Sequence, residues 1–496
     1  MSDHRGHIFL GFMATGPAIG IPENVWKWIC CPKPKTDKYG RPQVAPYGLR
    51  KIEAALQEAG FKAAVIDPDY VDMYLDTAKA LLIGHHDYFA MGPPSNEWWM
   101  LLGKEPVNRR SFIQFISRPE IWRAKERGLK IIVGGPAVWQ WEVWGEARRR
   151  WPVDTLVEGE AEKVVVELAR MVLEGSPLPE KVTVPLGKEP GIDEIPDIKA
   201  PSVCGLVEIM RGCPRGCRFC SVTLRRLRYM PLEKIEREIQ VNINGGVRNV
   251  LLHSEDVLLY GADGVRPRAE PLLKLHRLAA KYLEAYGAGF SWSHASLAAV
   301  RYAEEHGHIV SRISEMVIDG DRRRFFGVEV GIETGSVRLA RIHMPAKAAP
   351  YRVEEYPDTV EKAFSIMAEN SIIPAATFIL GLPGETEDDV LRTIELLERL
   401  RPYPSLIVPM FFVPMGMLKD MDGFKKEHLK PYHLEAFRVS AEHSFYWAKR
   451  ILEKGYLRGP QYAPVRAAIR KFIDYAERRV LEYFRKLEAL GPVRGG

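Results

Sequence analysis

A loop that carries three cysteines places the strongest constraint on how this chain can fold. The chain has 496 residues and six cysteines, and Cys213, Cys217 and Cys220 lie within eight consecutive positions. Such clustering makes no sense as a disulfide scaffold for a chain of this length and is more typical of a metal site or of catalysis. The spacing is C-x3-C-x2-C, directly after a predicted strand at 206–210. The thiols are therefore expected at the carboxyl end of that strand.

Three thiolates on one short loop can converge on three corners of a cubane iron–sulfur cluster. The fourth iron is then left without a protein ligand, so that a small molecule can bind there and receive an electron. A structural zinc site is the alternative, but structural zinc requires four protein ligands. The nearest further cysteine, Cys204, lies on the far side of the predicted strand. Zinc and free thiols stay open as alternatives at this point.

Composition and charge limit the class of protein. Hydrophobic residues make up 46% of the chain and charged residues 27%, which is typical of a globular protein and excludes wholesale disorder. The net charge of +6 is a mild excess that permits an anionic partner without requiring one. No segment approaches the ~20 uninterrupted apolar residues of a membrane helix, and the first residues lack a signal-peptide pattern. We expect a cytoplasmic protein without a transmembrane segment, and nucleic-acid binding is not indicated.

The first part of the chain, residues 1–175, alternates short apolar runs with amphipathic stretches. This alternation predicts a parallel α/β sheet of the flavodoxin or Rossmann type. Such sheets bind ligands in the loops beyond the carboxyl ends of their strands. The predicted elements are the strands 8–13, 63–67, 80–84, 129–134 and 154–157 and the helices 49–59 and 162–173.

The rest of the chain divides into three further parts. Residues 176–202 contain six prolines and predict a linker without regular elements. Residues 203–400 form a second alternating series, which predicts a parallel sheet, open or closed into part of a (β/α) barrel. For residues 401–496, the sequence pattern predicts one buried strand and a turn, followed by a mainly helical region. The predicted elements of the second series are the strands 206–210, 249–253, 325–330 and 376–380 and the helices 235–243, 272–286 and 359–368.

The second series resembles the radical S-adenosylmethionine (SAM) superfamily. The resemblance rests on five motifs in the family's order: the cysteine loop with Phe219 before its last cysteine, Ser254-Glu255-Asp256, the pair Ser291 and Ser293, the glycine-rich strand with Gly331 and Glu333, and Gly381-Leu-Pro383-Gly384-Glu385-Thr386. One departure is that His253 and Ser254 stand where the family's amino-binding motif has two glycines.

The resemblance implies a role for each of these motifs. Cys213, Cys217 and Cys220 would hold a 4Fe-4S cluster whose free iron binds SAM. Residues 254–256 would bind the methionine amino group, Ser291 and Ser293 the ribose, and the strand with Gly331 and Glu333 would run beneath the adenine. An external one-electron reductant of the flavodoxin or ferredoxin type would drive cleavage of SAM to a 5′-deoxyadenosyl radical.

The first part of the chain resembles the cobalamin-binding domain that precedes the radical domain in a large subclass. The motifs are Pro46-Tyr47-Gly48-Leu49, Gly134-Gly135-Pro136 and Gly159-Glu160-Ala161-Glu162. The resemblance implies cobalamin bound by Gly134, Gly135, Gly159 and Glu160. The Asp-x-His-x-x-Gly motif that supplies a cobalt ligand in mutases is absent, so no histidine ligand is expected from it. The alternative is a domain retained for packing or substrate binding.

Several isolated residues have both an ordinary and a functional interpretation. His85 and His86 follow a predicted strand and either approach cobalt or are ordinary loop histidines. Cys30 and Cys31 are buried thiols or redox groups. Lys347 follows the adenine strand and could approach a carboxylate, although most such basic residues are simply exposed.

Together these motifs favour a cobalamin-dependent radical SAM enzyme, and our first hypothesis is a methyltransferase that acts on an unactivated carbon. One alternative is a rearrangement, cyclisation or coupling reaction without methyl transfer. A second, outside enzymes, is an iron–sulfur electron-transfer or cobalamin-carrier protein. A methylthiotransferase is disfavoured because the first domain lacks the three cysteines that an auxiliary cluster needs. Neither the substrate nor a catalytic residue is predicted.

Overall fold

The structure is a computed structural model of the chain, and it describes residues 15–18, 22–318 and 324–489. The predicted strand 8–13 lies outside the described residues. The described chain forms two compact units. Unit 1 contains the residues up to Arg211 together with Leu224–Val250 and Val413–Met421. Unit 2 contains Gly212–Thr223, Leu251–Phe412 and the described residues from Asp422 onward.

Strands and α-helices alternate along most of the described chain. The strands are β1 (Ala80–Gly84), β2 (Lys130–Gly134), β3 (Thr155–Glu158), β4 (Lys181–Thr183), β5 (Leu206–Glu208), β6 (Met210–Arg211), β7 (Arg228–Tyr229), β8 (Asn249–His253), β9 (Gly289–Trp292), β10 (Phe326–Glu333), β11 (Ile372–Leu380) and β12 (Leu406–Phe411). The helices are α1 (Glu23–Cys30), α2 (Tyr47–Glu58), α3 (Ser95–Leu102), α4 (Val107–Ile116), α5 (Pro119–Glu126), α6 (Gln140–Val143), α7 (Ala147–Arg150), α8 (Glu162–Glu174), α9 (Leu232–Asn244), α10 (Ala269–Tyr286), α11 (Leu297–Glu305), α12 (Ile309–Ile318), α13 (Val337–His343), α14 (Pro345–Ala348), α15 (Tyr356–Glu369), α16 (Glu387–Arg399), α17 (Pro431–Ile451) and α18 (Ala463–Ala489).

Unit 1 contains a four-stranded parallel sheet in the order β1-β2-β3-β4. β1 and β2 end together, since Gly84 lies opposite Gly134 in the register. A core of aromatic and aliphatic side chains packs on the sheet, with Trp141 among its fully buried members. The α/β fold class predicted for this part of the chain is confirmed.

Two predicted features of unit 1 are wrong. Residues 63–67 form no strand, because their backbone groups bond elsewhere: Val65 N donates to Glu53 Oε1 at 2.8 Å, and Asp67 N donates to the carbonyl of Gly40 at 2.9 Å. The proline-rich segment 176–202 does contain a regular element, since β4 pairs in parallel with β3. A three-residue strand fits between prolines because it needs only a few ladder hydrogen bonds.

Unit 2 is built on parallel strands that lie side by side in chain order. Ser293 N donates to the carbonyl of Leu252 at 2.9 Å, which joins the chain after β9 to β8, and Ala295 N donates to the carbonyl of Glu329 in β10 at 3.0 Å. β10 pairs with β11, and β11 with β12, both in parallel. Such a sheet with intervening helices is the partial barrel expected from the sequence.

The predicted strand 206–210 is split into β5 and β6, and β6 pairs with β7 in antiparallel fashion.

The chain after β12 is mainly helical, as predicted, with α17 and α18 packed against each other. Among the described residues, no helix combines the length and the apolar composition that crossing a membrane requires. The predicted domain limits 1–175, 176–202, 203–400 and 401–496 stay a prediction.

Truncation of a buried tryptophan tests the core of unit 1. Trp141 is 1% exposed, and its ring lies within 5.2 Å of Phe89 and 5.8 Å of Tyr88, measured between ring centroids. We expect Trp141→Ala to lower the free energy of unfolding by about 3–5 kcal/mol, because it leaves a cavity. Val143 lies on the same helix and is 46% exposed, so Val143→Ala is the control and should change little. Urea unfolding followed by circular dichroism measures both, and equal effects would contradict the assigned core.

Candidate functional site

The cysteine loop, residues 212–223, belongs to unit 2 and begins directly after β6. Desolvation raises the pKa of Cys213 to about 12 and that of Cys217 to about 11, and it raises the pKa of Cys220 as well. The neighbouring thiols add a smaller part to the pKa increases of Cys213 and Cys217. Three neighbouring thiols on one loop fit the donor set of a cluster that takes three protein ligands. In the described residues no three His, Cys, Asp or Glu side chains are grouped tightly enough for a single metal ion.

A buried arginine within the loop holds it in place. Arg215 is 3% exposed, and its Nη1 donates to the carbonyls of Ala346, Lys347 and Ala349 at 3.1, 3.2 and 3.0 Å. Its Nε and Nη2 each lie 3.4 Å from Asp256 Oδ2. The planar guanidinium can therefore serve the turn around α14 and the end of β8 at once, as an ammonium group cannot.

The end of β8 carries buried polar atoms that lack partners. Ser254 is 0% exposed and Asp256 1% exposed, and among the described residues Ser254 Oγ and Asp256 Oδ1 have no hydrogen bond. Burial raises the pKa of Asp256, although Arg215 and Ser296 partly oppose the shift. Buried polar groups without partners are costly. These two atoms fit a ligand that brings hydrogen-bond donors, such as the amino group of SAM.

The predicted ribose residues lie next to this position. Ser291 and Ser293 are both buried. Ser293 Oγ donates to the carbonyl of Ser254 at 2.9 Å and accepts from Ser254 N at 3.1 Å. Its hydroxyl therefore ties the end of β8 to the end of β9. A ribose contact of Ser293 stays a prediction. The two hydrogen bonds with Ser254 also give Ser293 a structural role.

The glycine-rich strand β10 contains a buried ion pair rather than a bare surface. Glu333 pairs with Lys347, whose ammonium also lies 5.9 Å from the centre of the Phe219 ring. A Cβ atom at Gly331 would lie 2.5 Å from Lys347 Nζ and 1.9 Å from a carboxylate oxygen of Glu333, so a larger residue there would require the ends of these two side chains to shift. Of the two interpretations of Lys347, the approach to a carboxylate is confirmed by the pair with Glu333, and simple exposure is wrong, because the side chain is only 12% exposed. Adenine binding beside Gly331 and Glu333 stays a prediction.

The predicted cobalamin residues lie at the carboxyl ends of β2 and β3 in unit 1. Gly135, Pro136 and Gly159 are exposed there, which leaves a surface poor in side chains that fits a large planar group. Gly159 is also needed for packing, because its φ is +106° and a Cβ atom would lie 2.8 Å from Val184 Cβ. Gly134 is partly buried. These glycines fit a bound cofactor without requiring one.

The carboxylate of Glu160 forms salt bridges with two arginines of unit 1. It accepts from Arg211 Nη1 at 2.6 Å and pairs with Arg228. Burial alone would raise the pKa of Glu160, but these two arginines outweigh it and lower the pKa. The carboxylate therefore stays ionised and already serves a structural network. Direct cobalamin binding by Glu160 stays a prediction.

The remaining motif residues of unit 1 have identifiable partners or environments. Tyr47 OH donates to Glu238 Oε2 at 2.6 Å, so it connects α2 with α9. His85 Nδ1 accepts from Asp87 N at 2.9 Å, and burial lowers the pKa of His85 to about 4. His86 is exposed at the end of β1. Cys30 is buried, and burial raises its pKa to about 11.

The sequence analysis missed Arg215 and the burial of Lys347. Arg215 lies inside the cysteine loop itself, and an arginine between two cluster cysteines is the signal that could have drawn attention to it. Its partners are 41 residues away at Asp256 and more than 130 away at Ala346–Ala349, and such separations leave no local pattern.

Replacement of Arg215 tests whether it holds the cysteine loop. We expect Arg215→Met to lower the iron bound after anaerobic reconstitution several-fold, because Asp256 would lose its buried partner, a loss that typically costs 3–5 kcal/mol. Arg215→Lys should restore it only in part. Arg218 lies on the same loop with an exposed side chain, so Arg218→Met is the matched control. Equal iron content in the Arg215→Met and Arg218→Met proteins would contradict the assignment.

Comparison with known proteins gives matches in sequence. Residues 207–397 match the family model described as Radical SAM superfamily. An uncharacterized protein of Methanopyrus kandleri is 29% identical over 226 residues, 42% of this chain and 38% of that protein. A tRNA-2-methylthio-N(6)-dimethylallyladenosine synthase of Magnetococcus marinus is 29% identical over 211 residues, 42% of this chain and 44% of that enzyme. The chain thus spans less than half the length of these relatives.

Solved structures share the fold. The radical S-adenosylmethionine methyltransferase TsrM from Kitasatospora setae matches with a TM-score of 0.51 and 16% identity over 75% of this chain and 70% of that chain. A second TsrM structure, with cobalamin and a 4Fe-4S cluster bound, matches with a TM-score of 0.50, 14% identity and coverage of 76% and 71%. The cysteine loop, the buried end of β8 and strand β10 all lie within the matched residues 207–397. This chain therefore contains a radical SAM domain, which implies a 4Fe-4S cluster and SAM as cofactors.

Proposed function

We propose that this chain is a cobalamin-dependent radical SAM methyltransferase that acts on an unactivated carbon. The observation that carries the proposal is the cysteine loop, held by Arg215 next to Ser254 Oγ and Asp256 Oδ1, two buried atoms that make no hydrogen bond within the described part of the chain. When bound, the cluster supplies the electron that cleaves SAM, and cobalamin supplies a carrier for the methyl group.

In this proposal each group of residues has a defined task. Cys213, Cys217 and Cys220 hold three irons and leave the fourth for SAM. Ser254 and Asp256 accept hydrogen bonds from the amino group of SAM, which satisfies their buried oxygens. The electron comes from an external donor of the flavodoxin or ferredoxin type.

The cobalamin part of the proposal has two supports. The carboxyl edge of the unit 1 sheet exposes Gly135 and Gly159 where ligands of parallel sheets bind. The likeness to TsrM, whose structure holds cobalamin, extends over 75% of this chain and so reaches beyond the matched residues 207–397.

Methylthio transfer is the second candidate, because one of the named relatives is a tRNA-2-methylthio-N(6)-dimethylallyladenosine synthase. The positions of the cysteines outside the loop disfavour methylthio transfer. Cys30 and Cys31 are adjacent and Cys204 is distant in sequence, so the first domain does not offer the three spaced cysteines of an auxiliary cluster. A reaction without methyl transfer would give a product that has gained no methyl group, and a carrier protein without turnover would give no product. Analysis of the products therefore distinguishes both from the proposal.

Removal of the three thiols tests the radical part of the proposal. We expect the Cys213→Ala/Cys217→Ala/Cys220→Ala protein to form no 5′-deoxyadenosine from SAM under dithionite, because no cluster can deliver the electron. Cobalamin binding, measured by its absorbance after anaerobic gel filtration, should persist. Cys30→Ala/Cys31→Ala is the control and should keep both properties. Product formation by the triple variant would refute the proposal.

Labelled SAM tests the methyl transfer. With the methyl group of SAM deuterated, we expect a product heavier than its substrate by one methyl group in place of a hydrogen, and all of the added label should come from SAM. Mass spectrometry of candidate substrates after anaerobic turnover measures this. A product that has only lost hydrogen would favour cyclisation or coupling, and a product that has gained sulfur would favour methylthio transfer.

A further inference from the structure

His85 is a partly buried histidine of unit 1 to which the proposed function gives no task. It directly follows β1, at the carboxyl edge of the sheet where Gly135 and Gly159 are exposed. The loops after β1 and β2 meet there, because a Cβ atom at Gly135 would lie 3.1 Å from His85 N and 3.2 Å from the carbonyl oxygen of His85. His85 is therefore a direct neighbour of the surface proposed to bind cobalamin.

One nitrogen of the His85 imidazole is fixed as an acceptor. The backbone N–H of Asp87 donates to His85 Nδ1 at 2.9 Å. In a neutral imidazole, one nitrogen accepts and the other carries the single proton. Burial lowers the pKa of His85 to about 4, so the ring is neutral at neutral pH. His85 Nε2 therefore carries a hydrogen and is a donor.

The surroundings of His85 hold its imidazole in one orientation. The carboxylate of Asp87 accepts from two further backbone N–H groups at 3.0 and 3.1 Å, which fixes the turn that carries the Asp87 N–H. The imidazole packs against the rings of Tyr88 and Phe112, at 5.4 and 5.7 Å between ring centroids. Tyr88 OH in turn donates to the carbonyl of Gly134 at 2.6 Å. Rotation of the imidazole would break its hydrogen bond and disturb these contacts.

The second nitrogen of His85 is left for a ligand. Nε2 makes no hydrogen bond within the ranges that the structure describes, and the side chain is only partly buried. Coordination of cobalt through Nε2 would move the proton to Nδ1, where it would face the N–H of Asp87. A neutral N–H suits a neutral carbonyl oxygen, whereas phosphate groups are bound by arginine, lysine or helix N-termini. The corrin ring of cobalamin carries carbonyl oxygens in its amide side chains.

We infer that His85 binds the corrin ring of cobalamin by donating a hydrogen bond from Nε2 to the carbonyl oxygen of an amide side chain. The inference rests on the cobalamin part of the proposed function and assigns a cofactor-binding residue to it. The hydrogen bond from Asp87 N sets the position of the proton, so the donor is in place before the cofactor binds. No covalent bond forms or breaks, and no proton is transferred.

Two substitutions separate the two nitrogens of His85. Asparagine places its side-chain oxygen near the position of Nδ1, so His85→Asn keeps an acceptor for Asp87 N and removes the donor. Glutamine reaches the position of Nε2 with its amide N–H, so His85→Gln keeps the donor and loses the acceptor. We expect the dissociation constant of hydroxocobalamin to rise about 3- to 10-fold for His85→Asn and to change by less than about 2-fold for His85→Gln. Titration of the full-length protein, followed by the absorbance of the corrin, measures both.

A corrinoid without the nucleotide tests which part of the cofactor accepts the hydrogen bond. Aquacobinamide keeps the amide side chains of the corrin ring and lacks the phosphate and the base. His85→Asn should therefore weaken the binding of aquacobinamide and of hydroxocobalamin by the same factor. A loss confined to hydroxocobalamin would place the hydrogen bond on the nucleotide and would overturn the inference.

The two variants serve as matched controls for each other. A purely structural role of His85 predicts the reverse order, with His85→Asn near the wild type and His85→Gln weakened, because only the bond to Asp87 N would matter. That reverse order, an equal loss in both variants, or a loss in neither overturns the inference. A wild-type protein that binds neither corrinoid refutes the cobalamin part of the proposed function itself and is thereby distinguished from failure of the inference.

Discussion

The bond between the guanidinium of Arg215 and the carboxylate of Asp256 is the interaction on which the site depends. Both groups are almost completely buried, and a buried charge is tolerated only when it is paired and hydrogen-bonded. Arg215 meets this requirement with one carboxylate and three carbonyls, and these partners come from the end of β8 and from the turn around α14. The cysteine loop, the end of β8 and the turn around α14 are therefore joined by a single side chain.

This arrangement also explains why Asp256 is suited to bind a ligand. Its Oδ2 accepts from Arg215 and Ser296, whereas Oδ1 has no hydrogen bond in the described residues. One oxygen thus anchors the carboxylate and the other is left for a donor that the protein does not provide. The glycine loops of unit 1 are different, because Gly159 is explained by its contact with Val184 and Glu160 by its arginine partners. SAM binding is supported by buried oxygen atoms that make no hydrogen bond in the described residues. Within unit 1, cobalamin binding is supported by the exposed glycines at the carboxyl edge of the sheet.

Local patterns were predictable from the sequence, and long-range pairings were not. The strands 80–84 and 249–253 were predicted with correct limits, since each is built on a short apolar run, 80–83 in the first and 250–252 in the second. The cysteine loop was found because its spacing lies within eight residues. The strand predicted at 63–67 failed because a side chain, Glu53, takes the backbone donor of Val65. Such competition from a residue twelve positions away is invisible to a periodicity argument.

The two cations near the cysteine loop also have long-range partners that a local sequence pattern does not predict. Arg215 and Lys347 are each matched by one carboxylate, Asp256 and Glu333, that lies far from them in the sequence. Each pair is neutral overall, so the loop can fold before any cluster is present without burying an unmatched charge. Paired charges therefore allow the loop to be stable without a cofactor.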